Sequence, residues 1–342
     1  MHPFLKEIHE QPGAVLETAA YLSSEAGRRP LGEVGTLWRS GRYSRILATG
    51  MGSSFFTGSS LALLLEGSGV PAFCINAGQL LHHGLDVARE DTLLVAISQS
   101  GESYETVKVL ETLNLPPERV VAITNTPGSR LAALSGHVIL TKAGEERMTS
   151  TKTFITAWQA ALAFAGAITG NPYIYDALSL SDGIRWILSQ TIDASPFRDV
   201  PFIQFTARGI DFEVAQQSAL MSMEALHLPA SALTGGDFRH GPLEMVAPEM
   251  PVVVISHSES PTAEQSLRLA RDVSRFGGHP VLVADKAPDD FEGTFFEVPD
   301  CDLNLFPILA IIPLQLLVCG IAEDRGIIPG DFYHGGKVTS IE

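Results

Sequence analysis

The sequence has few cysteines and few basic residues. Its three cysteines, Cys74, Cys301 and Cys319, form neither an even disulfide framework nor a metal-binding spacing. Lysine and arginine total 23 against 39 aspartate and glutamate residues, which gives a net charge of −16. No basic stretch with interleaved aromatic residues occurs, so no nucleic-acid partner is expected. We expect a small-molecule ligand, no metal, no cofactor and a reducing, cytoplasmic location.

Only one long uncharged run raises the question of a membrane. The run LFPILAIIPLQLLVCGIA, residues 305–322, contains Pro307 and Pro313, lacks a basic flank and is barely long enough to cross a bilayer. A buried helix of a large α/β protein has the same composition. We therefore interpret it as a core or subunit-interface helix and expect no membrane. The N-terminal MHPFLKEIHEQPG also lacks the basic and apolar regions of a signal peptide.

Short apolar runs repeat along the chain at an interval of about 158 residues. The runs before TGMGSS, SQSGES and TNT in the first half have counterparts before TARGI, SHSES and ADK in the second. Helical patterns lie between them, which favours parallel strands with helical crossovers. The sequence predicts an α/β protein of two tandem doubly wound, flavodoxin-like parallel-sheet lobes that arose by internal duplication. We place a helical segment at 1–40, the lobes at 41–170 and 171–330, and a tail at 331–342.

Hydroxyl side chains follow the predicted strands of the first lobe. A helix start leaves unpaired N–H groups and partial positive charge, so it can bind an anion such as phosphate without a basic residue. The same residues also suit an ordinary turn in which Ser100 caps the helix, and the local pattern leaves both interpretations open. Strand ends of a parallel sheet converge at a switch point, which favours a phosphate cradle. The candidates are Ser53, Ser54, Ser98, Gln99, Ser100, Gly101, Ser103 and the segment 149–151.

The segment ATGMGSS does not indicate a nucleotide site. A dinucleotide fingerprint would need a glycine where Phe55 stands, and a P-loop would need GK[ST].

Taken together, the motifs resemble the sugar isomerase (SIS) family. They are TGMGSS, ISQSGES, TNTPGS, AGEERMTSTKTF, MSMEALHLPASALTGGDFRHGPLEM and GGKVTSIE. The resemblance is to the isomerase half of glucosamine-6-phosphate synthase and its stand-alone relatives, from about residue 40 to Glu342. It implies that the sugar phosphate is held by Ser53, Ser54, Ser98, Gln99, Ser100 and Ser103, and that Ser150 touches the sugar hydroxyls.

The resemblance also implies three catalytic residues, each with a simpler alternative. Glu224 would move a proton between C1 and C2, but it could be a solvated helix residue. His240 would assist ring opening, but it could merely cap a helix. Lys337 would form an imine with the C2 carbonyl, but tail lysines are usually solvated. We interpret the remaining histidines of interest as structural or surface residues: His227, His257 and His279.

Departures from the family limit what the resemblance implies. Met221 occupies the position of a family lysine three residues before the glutamate, and IPGDFYHGGK replaces a PRNL-like tail. We expect no glutaminase half, which makes amination of fructose 6-phosphate less plausible than its reversal.

The leading hypothesis is a glucosamine-6-phosphate deaminase/isomerase that forms fructose 6-phosphate and ammonia. The alternatives are a fructosamine-6-phosphate deglycase and a non-catalytic phosphosugar sensor. In the family a neighbouring subunit lends the histidine, so we expect a homodimer with a shared His240.

Overall fold

The structure is a computed structural model that describes residues 2–330, 332–334 and 336–337. Its internal contacts divide the chain into two compact units, each built on one sheet. The first-sheet unit contains residues 13–146 and 150–178 together with the described residues from 334 onward. The second-sheet unit contains residues 2–12, 147–149 and the described part of 179–333.

Five parallel strands form the first sheet, in the order β2-β1-β3-β4-β5. All six residues of β3 are buried, as expected of a strand covered on both faces. On one face of the sheet, Leu94 of β3 packs with Val109 of the helix that follows β3. On the other face, Ala48 of β1 lies close to Gly58. The strands are β1 (Arg45–Gly50), β2 (Ala72–Asn76), β3 (Thr92–Ile97), β4 (Val120–Thr124) and β5 (His137–Leu140).

The second sheet repeats the topology of the first. Its order is β10-β9-β8-β6-β7, so β6 to β10 take the places of β1 to β5 in the same parallel arrangement. The predicted duplication into two doubly wound lobes is confirmed at the level of strand order. The strands are β6 (Ile203–Ala207), β7 (Ala230–Thr234), β8 (Pro251–Ile255), β9 (His279–Ala284) and β10 (Thr294–Glu297).

Helices connect the strands and cover the sheets. The first eight are α1 (Pro3–His9), α2 (Gln11–Ser23), α3 (Glu25–Arg39), α4 (Ser53–Gly67), α5 (Ala77–Gln79), α6 (Tyr104–Leu113), α7 (Arg130–Ala133) and α8 (Lys152–Thr169). The other five are α9 (Ala177–Leu188), α10 (Phe212–Leu226), α11 (Gly235–Arg239), α12 (Ala263–Arg275) and α13 (Phe306–Asp324).

The uncharged run of the sequence forms helix α13. By length and composition alone it could cross a bilayer, but 78% of its apolar window is buried inside the protein. It packs against α10 and α1, and the amide of Gln11 donates a hydrogen bond of 2.7 Å to Gln315 on its buried face. This environment agrees with the interpretation of the run as a core helix.

Candidate functional site

A small cavity lies at the carboxyl edge of the first sheet, where β1 has β2 on one side and β3 on the other. The order of the strands reverses at this point, which is where open parallel sheets bind ligands. Among the described residues, hydroxyl, amide and apolar side chains line it, and no charged one does. The lining residues are Ser53, Ser54, Thr57, Ile97, Gln99, Ile123, Thr124, Thr141, Ser150, Thr153, Phe154 and Ala157.

The start of helix α4 faces this cavity. Ser53 and Ser54 are the first two residues of α4, and within the described chain no side chain caps them. Gly52, which precedes them, has φ 50° and ψ −129°. These angles favour glycine, because a residue with a Cβ is strained at a positive φ. The N–H groups of Ser54 and Phe55 donate to the Met51 carbonyl at 3.1 and 3.4 Å. The features of this helix start that favour an anion are therefore its partial positive charge and the hydroxyls of Ser53 and Ser54.

The loop after β3 is shaped by its own hydrogen bonds. The Ser98 hydroxyl accepts a bond of 3.1 Å from the Gly101 N–H, and the Ser100 hydroxyl accepts one of 3.1 Å from the Glu102 N–H. Gln99 lines the cavity, but the three serines of this loop do not: Ser98, Ser100 and Ser103. Four of the seven predicted cradle residues therefore border the cavity, and two others form the turn that presents Gln99.

The alternative interpretation of Ser100 as a helix cap is wrong. Helix α6 begins at Tyr104, and its N-cap is Ser103, whose side chain makes no capping hydrogen bond among the described residues. Ser100 lies one turn too early, because Gly101 has a positive φ of 66° that no helix can continue through.

Four threonines of the cavity are not among the residues predicted from the sequence. Thr57 lies one turn into α4, Thr124 ends β4, Thr141 follows β5 and Thr153 lies in the first turn of α8. Thr124 and Thr141 could have been found by applying the strand-end rule to every predicted strand. Thr57 and Thr153 could not, because their positions depend on how two helices face the sheet edge.

The predicted hydroxyl segment 149–151 is divided among different partners. The Thr149 hydroxyl donates to the Glu224 carboxylate, the Ser150 side chain lines the cavity, and the Thr151 hydroxyl donates to Glu146 at 2.9 Å. Glu146 also accepts the N–H groups of Thr151 and Thr153 at 3.0 and 3.1 Å. The start of α8 is thus already capped by a buried carboxylate of the protein itself.

In the second sheet the corresponding loop binds an internal carboxylate. Ser256-His257-Ser258 follows β8 as Ser98-Gln99-Ser100 follows β3, and Asp285 follows β9. The Asp285 carboxylate accepts the Ser258 N–H and hydroxyl at 2.6 and 2.5 Å. Burial alone would raise the pKa of Asp285, but these hydrogen bonds outweigh it and hold the pKa below its ordinary value. The loop of the second repeat therefore already holds a negative charge.

The two predicted acid–base residues lie in the second-sheet unit. Glu224 is half-buried near the end of α10, and its carboxylate accepts the Thr149 hydroxyl. His240 is exposed and stands at the C-cap of α11, where its N–H donates to the Asp237 carbonyl at 3.0 Å. Glu224 thus has a fixed neighbour, while the His240 side chain points toward solvent in the single chain.

The family lysine position and three other histidines, His227, His257 and His279, have structural contacts within the second-sheet unit. Met221 is fully buried in α10, so this position belongs to the core. His227 stacks on Tyr333 with ring centroids 3.9 Å apart, and His279 shares a hydrogen bond of 2.8 Å with Thr294. His257 is fully buried and its Nδ1 accepts the Glu259 N–H at 3.1 Å.

Lys337 is held by an ion pair in the first-sheet unit. Its Nζ contacts the carboxylate of Glu146, and its side chain is 14% exposed. The alternative of a solvated tail lysine therefore disagrees with the structure. Residues 331, 335 and 338–342 of the predicted tail lie outside the described residues.

We expect replacement of Ser53 and Ser54 by alanine to weaken phosphosugar binding. Each hydroxyl that bonds a charged phosphate contributes about 1.5–3 kcal/mol, so each single replacement should raise KM roughly ten- to a hundredfold, and the double replacement by more, while kcat changes little. Steady-state kinetics measure both. Ser59→Ala is the matched control, because the Ser59 hydroxyl bonds the Phe55 carbonyl of the same helix at 3.0 Å. An unchanged KM in the double variant would place the phosphate elsewhere.

Comparison with known proteins reveals matches along most of the chain. A family model described as SIS domain matches residues 42–165 and 197–318. The chain is 28% identical over 348 residues to a glutamine–fructose-6-phosphate aminotransferase (isomerizing) of Corynebacterium glutamicum, covering 94% of this chain. It spans 55% of that relative, and a little over half of the other curated relatives it matches.

Solved structures are similar along nearly their whole length. The C-terminal domain of glucosamine-fructose-6-phosphate aminotransferase from Francisella tularensis has a TM-score of 0.81 and 25% identity, covering 97% of this chain and 98% of that one. Glucosamine-6-phosphate deaminase from Thermotoga maritima has a TM-score of 0.73 and 20% identity, covering 98% and 99%. The second likeness is one of fold alone.

Proposed function

Because the chain belongs to the SIS-domain family, as both halves of the sequence and the repeated sheets show, we propose that it is a phosphosugar isomerase acting on an amino-sugar phosphate. The proposed reaction converts glucosamine 6-phosphate and water into fructose 6-phosphate and ammonia. The observation that carries the proposal is the uncharged, hydroxyl-lined cavity at the start of α4, which suits a phosphate. The curated relatives named glutamine–fructose-6-phosphate aminotransferase support this substrate class, because their names contain the sugar phosphate that the proposed reaction forms.

Only the first of the two repeats suits the phosphate. Its loop after β3 presents Gln99 to the small cavity beside the start of α4, while the loop after β8 is bonded to the Asp285 carboxylate. A phosphate beside that carboxylate would meet like charge, which disfavours binding. The duplication therefore supports one phosphate site per chain.

Three side chains divide the proposed chemistry. His240 exchanges the proton that opens the sugar ring, because an imidazole can do so near neutral pH. Glu224 removes the proton from C2 of the open-chain aldose and returns it to C1. Lys337 displaces ammonia from C2 as an imine, and water then releases fructose 6-phosphate. The hydrogen bond from Thr149 supports the role of Glu224 because it orients the carboxylate.

We propose a homodimer in which His240 serves the neighbouring subunit. The exposed position of His240 at the end of α11 supports this arrangement. We also propose a reducing, cytoplasmic location, in which the three cysteines remain free thiols.

Purified protein incubated with glucosamine 6-phosphate should release ammonia and fructose 6-phosphate in equal amounts. A coupled assay for each product measures this ratio, with non-phosphorylated glucosamine as the control. Release of an amine from fructosamine 6-phosphates, without ammonia from glucosamine 6-phosphate, would identify a deglycase instead. Binding of phosphosugars without turnover of any of them would identify a sensor.

The shared site is tested by subunit exchange. Inactive Glu224→Gln and inactive His240→Ala proteins, mixed under conditions of exchange, should regain about a quarter of the wild-type activity, because half of the dimers are mixed and each holds one intact site. Purely additive activity after mixing would show that each chain uses its own His240.

A further inference from the structure

A buried carboxylate connects the tail lysine with the start of helix α8. The Glu146 side chain is fully buried, and its carboxylate contacts Lys337 Nζ although 191 residues separate the two. All the atoms concerned belong to the first-sheet unit. A buried carboxylate needs compensation by hydrogen bonds and opposite charge, which explains why it holds the tail.

Both oxygens of Glu146 are also bonded to the first turn of α8. One accepts the N–H groups of Thr151 and Thr153 at 3.0 and 3.1 Å, together with the Thr151 hydroxyl at 2.9 Å. The other accepts the Thr153 hydroxyl as well as Lys337. Helix α8 therefore orients this carboxylate, so its position does not depend on the tail.

Thr153 places this ion pair next to the cavity. Its side chain lines the cavity that we assign to the phosphosugar, and its hydroxyl donates to the same oxygen that contacts Lys337. Lys337 Nζ is thus two hydrogen bonds from a hydroxyl group of the cavity wall. The ion pair with Glu146 therefore holds the Lys337 amine close to the cavity wall.

An ammonium group cannot attack a carbonyl, because its nitrogen has no free electron pair. Lys337 Nζ donates to the Glu146 carboxylate as the cation of an ion pair. The lysine must therefore lose a proton at the moment of attack, and a carboxylate in direct contact is suited to accept it. Of the described side chains, Glu146 is the one with a hydrogen bond to Nζ.

We propose that Glu146 is a positioning residue for Lys337: it seats the tail amine beside the cavity and accepts its proton when the amine attacks C2. The inference rests on the proposed function. Proton transfer turns ammonium and carboxylate into amine and carboxylic acid. The amine nitrogen then bonds to C2, and the carbonyl oxygen takes two protons and leaves as water. The protein and fructose 6-phosphate are thereby joined by an imine, with no change of oxidation state.

Seating of the tail is tested without substrate. Acetic anhydride at low concentration labels neutral, accessible amines, and mass spectrometry measures the rate at each lysine. Lys337 should react about fivefold more slowly than Lys6, the ratio of their exposed fractions of 14% and 68%. Lys6 is a suitable reference because it also has an ion-pair partner, Glu10 at 3.5 Å, but on the surface. Equal rates in the wild-type protein would overturn the seating by Glu146, whatever the protein catalyses.

Variants at Glu146 then test the proton transfer. Borohydride added with fructose 6-phosphate should reduce the imine to a stable adduct on Lys337. Glu146→Gln keeps an oxygen for the Thr151 and Thr153 donors but cannot accept the ammonium proton, so trapping should slow at least tenfold while the Kd for fructose 6-phosphate changes less than about threefold. Glu145→Gln, an exposed neighbour, is the control and should trap at the wild-type rate. Glu146→Asp should restore part of the rate.

The outcomes separate this inference from the proposed function. Wild-type trapping rates in Glu146→Gln would overturn the role of Glu146 and leave the isomerase proposal intact. Absence of any adduct in wild-type protein would overturn both the imine and the proton transfer, and the labelling result would still decide the seating. If Glu146→Gln does not fold, the wild-type labelling and the Glu146→Asp trapping rate remain decisive.

Discussion

Replacing Glu224 with glutamine is expected to lower kcat by about 10²- to 10⁴-fold, the usual contribution of a positioned acid–base group. Glutamine keeps the size of the side chain and an oxygen for the Thr149 hydroxyl, so the local contacts of α10 should survive. What is lost is the ability to carry a proton between C2 and C1. Binding of fructose 6-phosphate, measured by calorimetry, should stay within about threefold of wild type, because the phosphate contacts are unchanged.

The proton transfer itself provides the sharper measurement. In deuterated water the wild-type protein should exchange a hydrogen at C1 of fructose 6-phosphate, and mass spectrometry should show this exchange lost in Glu224→Gln. Glu323→Gln removes an exposed carboxylate at the end of α13 and serves as the matched control. Undiminished exchange in Glu224→Gln would assign the proton transfer to another residue.

Removal of the Thr149 hydroxyl should slow the same proton transfer, but by less than Glu224→Gln does. Thr149→Val removes the donor to Glu224 while it keeps the shape of the side chain. A hydrogen bond to a charged group contributes about 1.5–3 kcal/mol, so kcat should fall roughly ten- to a hundredfold. This intermediate loss would indicate that Thr149 orients the carboxylate.

Replacing Gly101 with alanine is expected to destabilise the first-sheet unit by about 2–5 kcal/mol. Gly101 has φ 66°, which costs an ordinary residue about 1–2 kcal/mol. An added Cβ would also lie 2.0 Å from the Ser129 hydroxyl oxygen and 2.4 Å from its Cβ, and such overpacking costs about 1–3 kcal/mol. Urea unfolding measures the loss, and the displaced loop should also weaken phosphosugar binding through Gln99.

A second substitution separates the two costs at Gly101. Ser129→Gly removes both atoms of the steric clash, so the double variant should unfold more readily than Ser129→Gly alone by only about 1–2 kcal/mol. Gly128→Ala is the matched control, since its added Cβ would meet nothing within 4 Å. A fully stable Gly101→Ala protein would contradict the close packing of this loop on Ser129.

Several features of the fold were predictable because they are recorded in local sequence. The fully buried run of β3 predicts a strand covered on both faces, and its counterpart β8 reveals the duplication. Seven hydroxyl or amide residues at strand ends predicted where the cavity would lie. Four of them line it, because the carboxyl ends of parallel strands meet at one edge whatever the remaining packing.

What the sequence could not show is how residues far apart in the chain share one partner. The contact between Lys337 and Glu146 spans 191 residues, and that between Thr149 and Glu224 spans 75. No spacing rule reaches so far, because each pairing depends on how whole helices are placed against a sheet.

The two repeats and the strand-end loops could be predicted from the sequence, because hydrophobic periodicity and backbone sterics act between close neighbours. The tertiary fold determines which partner each of the two serine loops has. Nearly the same serine loop occurs twice, but Ser258 of one loop donates to the Asp285 carboxylate, whereas Gln99 of the other lines a small cavity. It also decided that the start of α8 is capped by Glu146 and thereby linked to Lys337, since a buried carboxylate draws its partners from whatever the fold brings within hydrogen-bond distance.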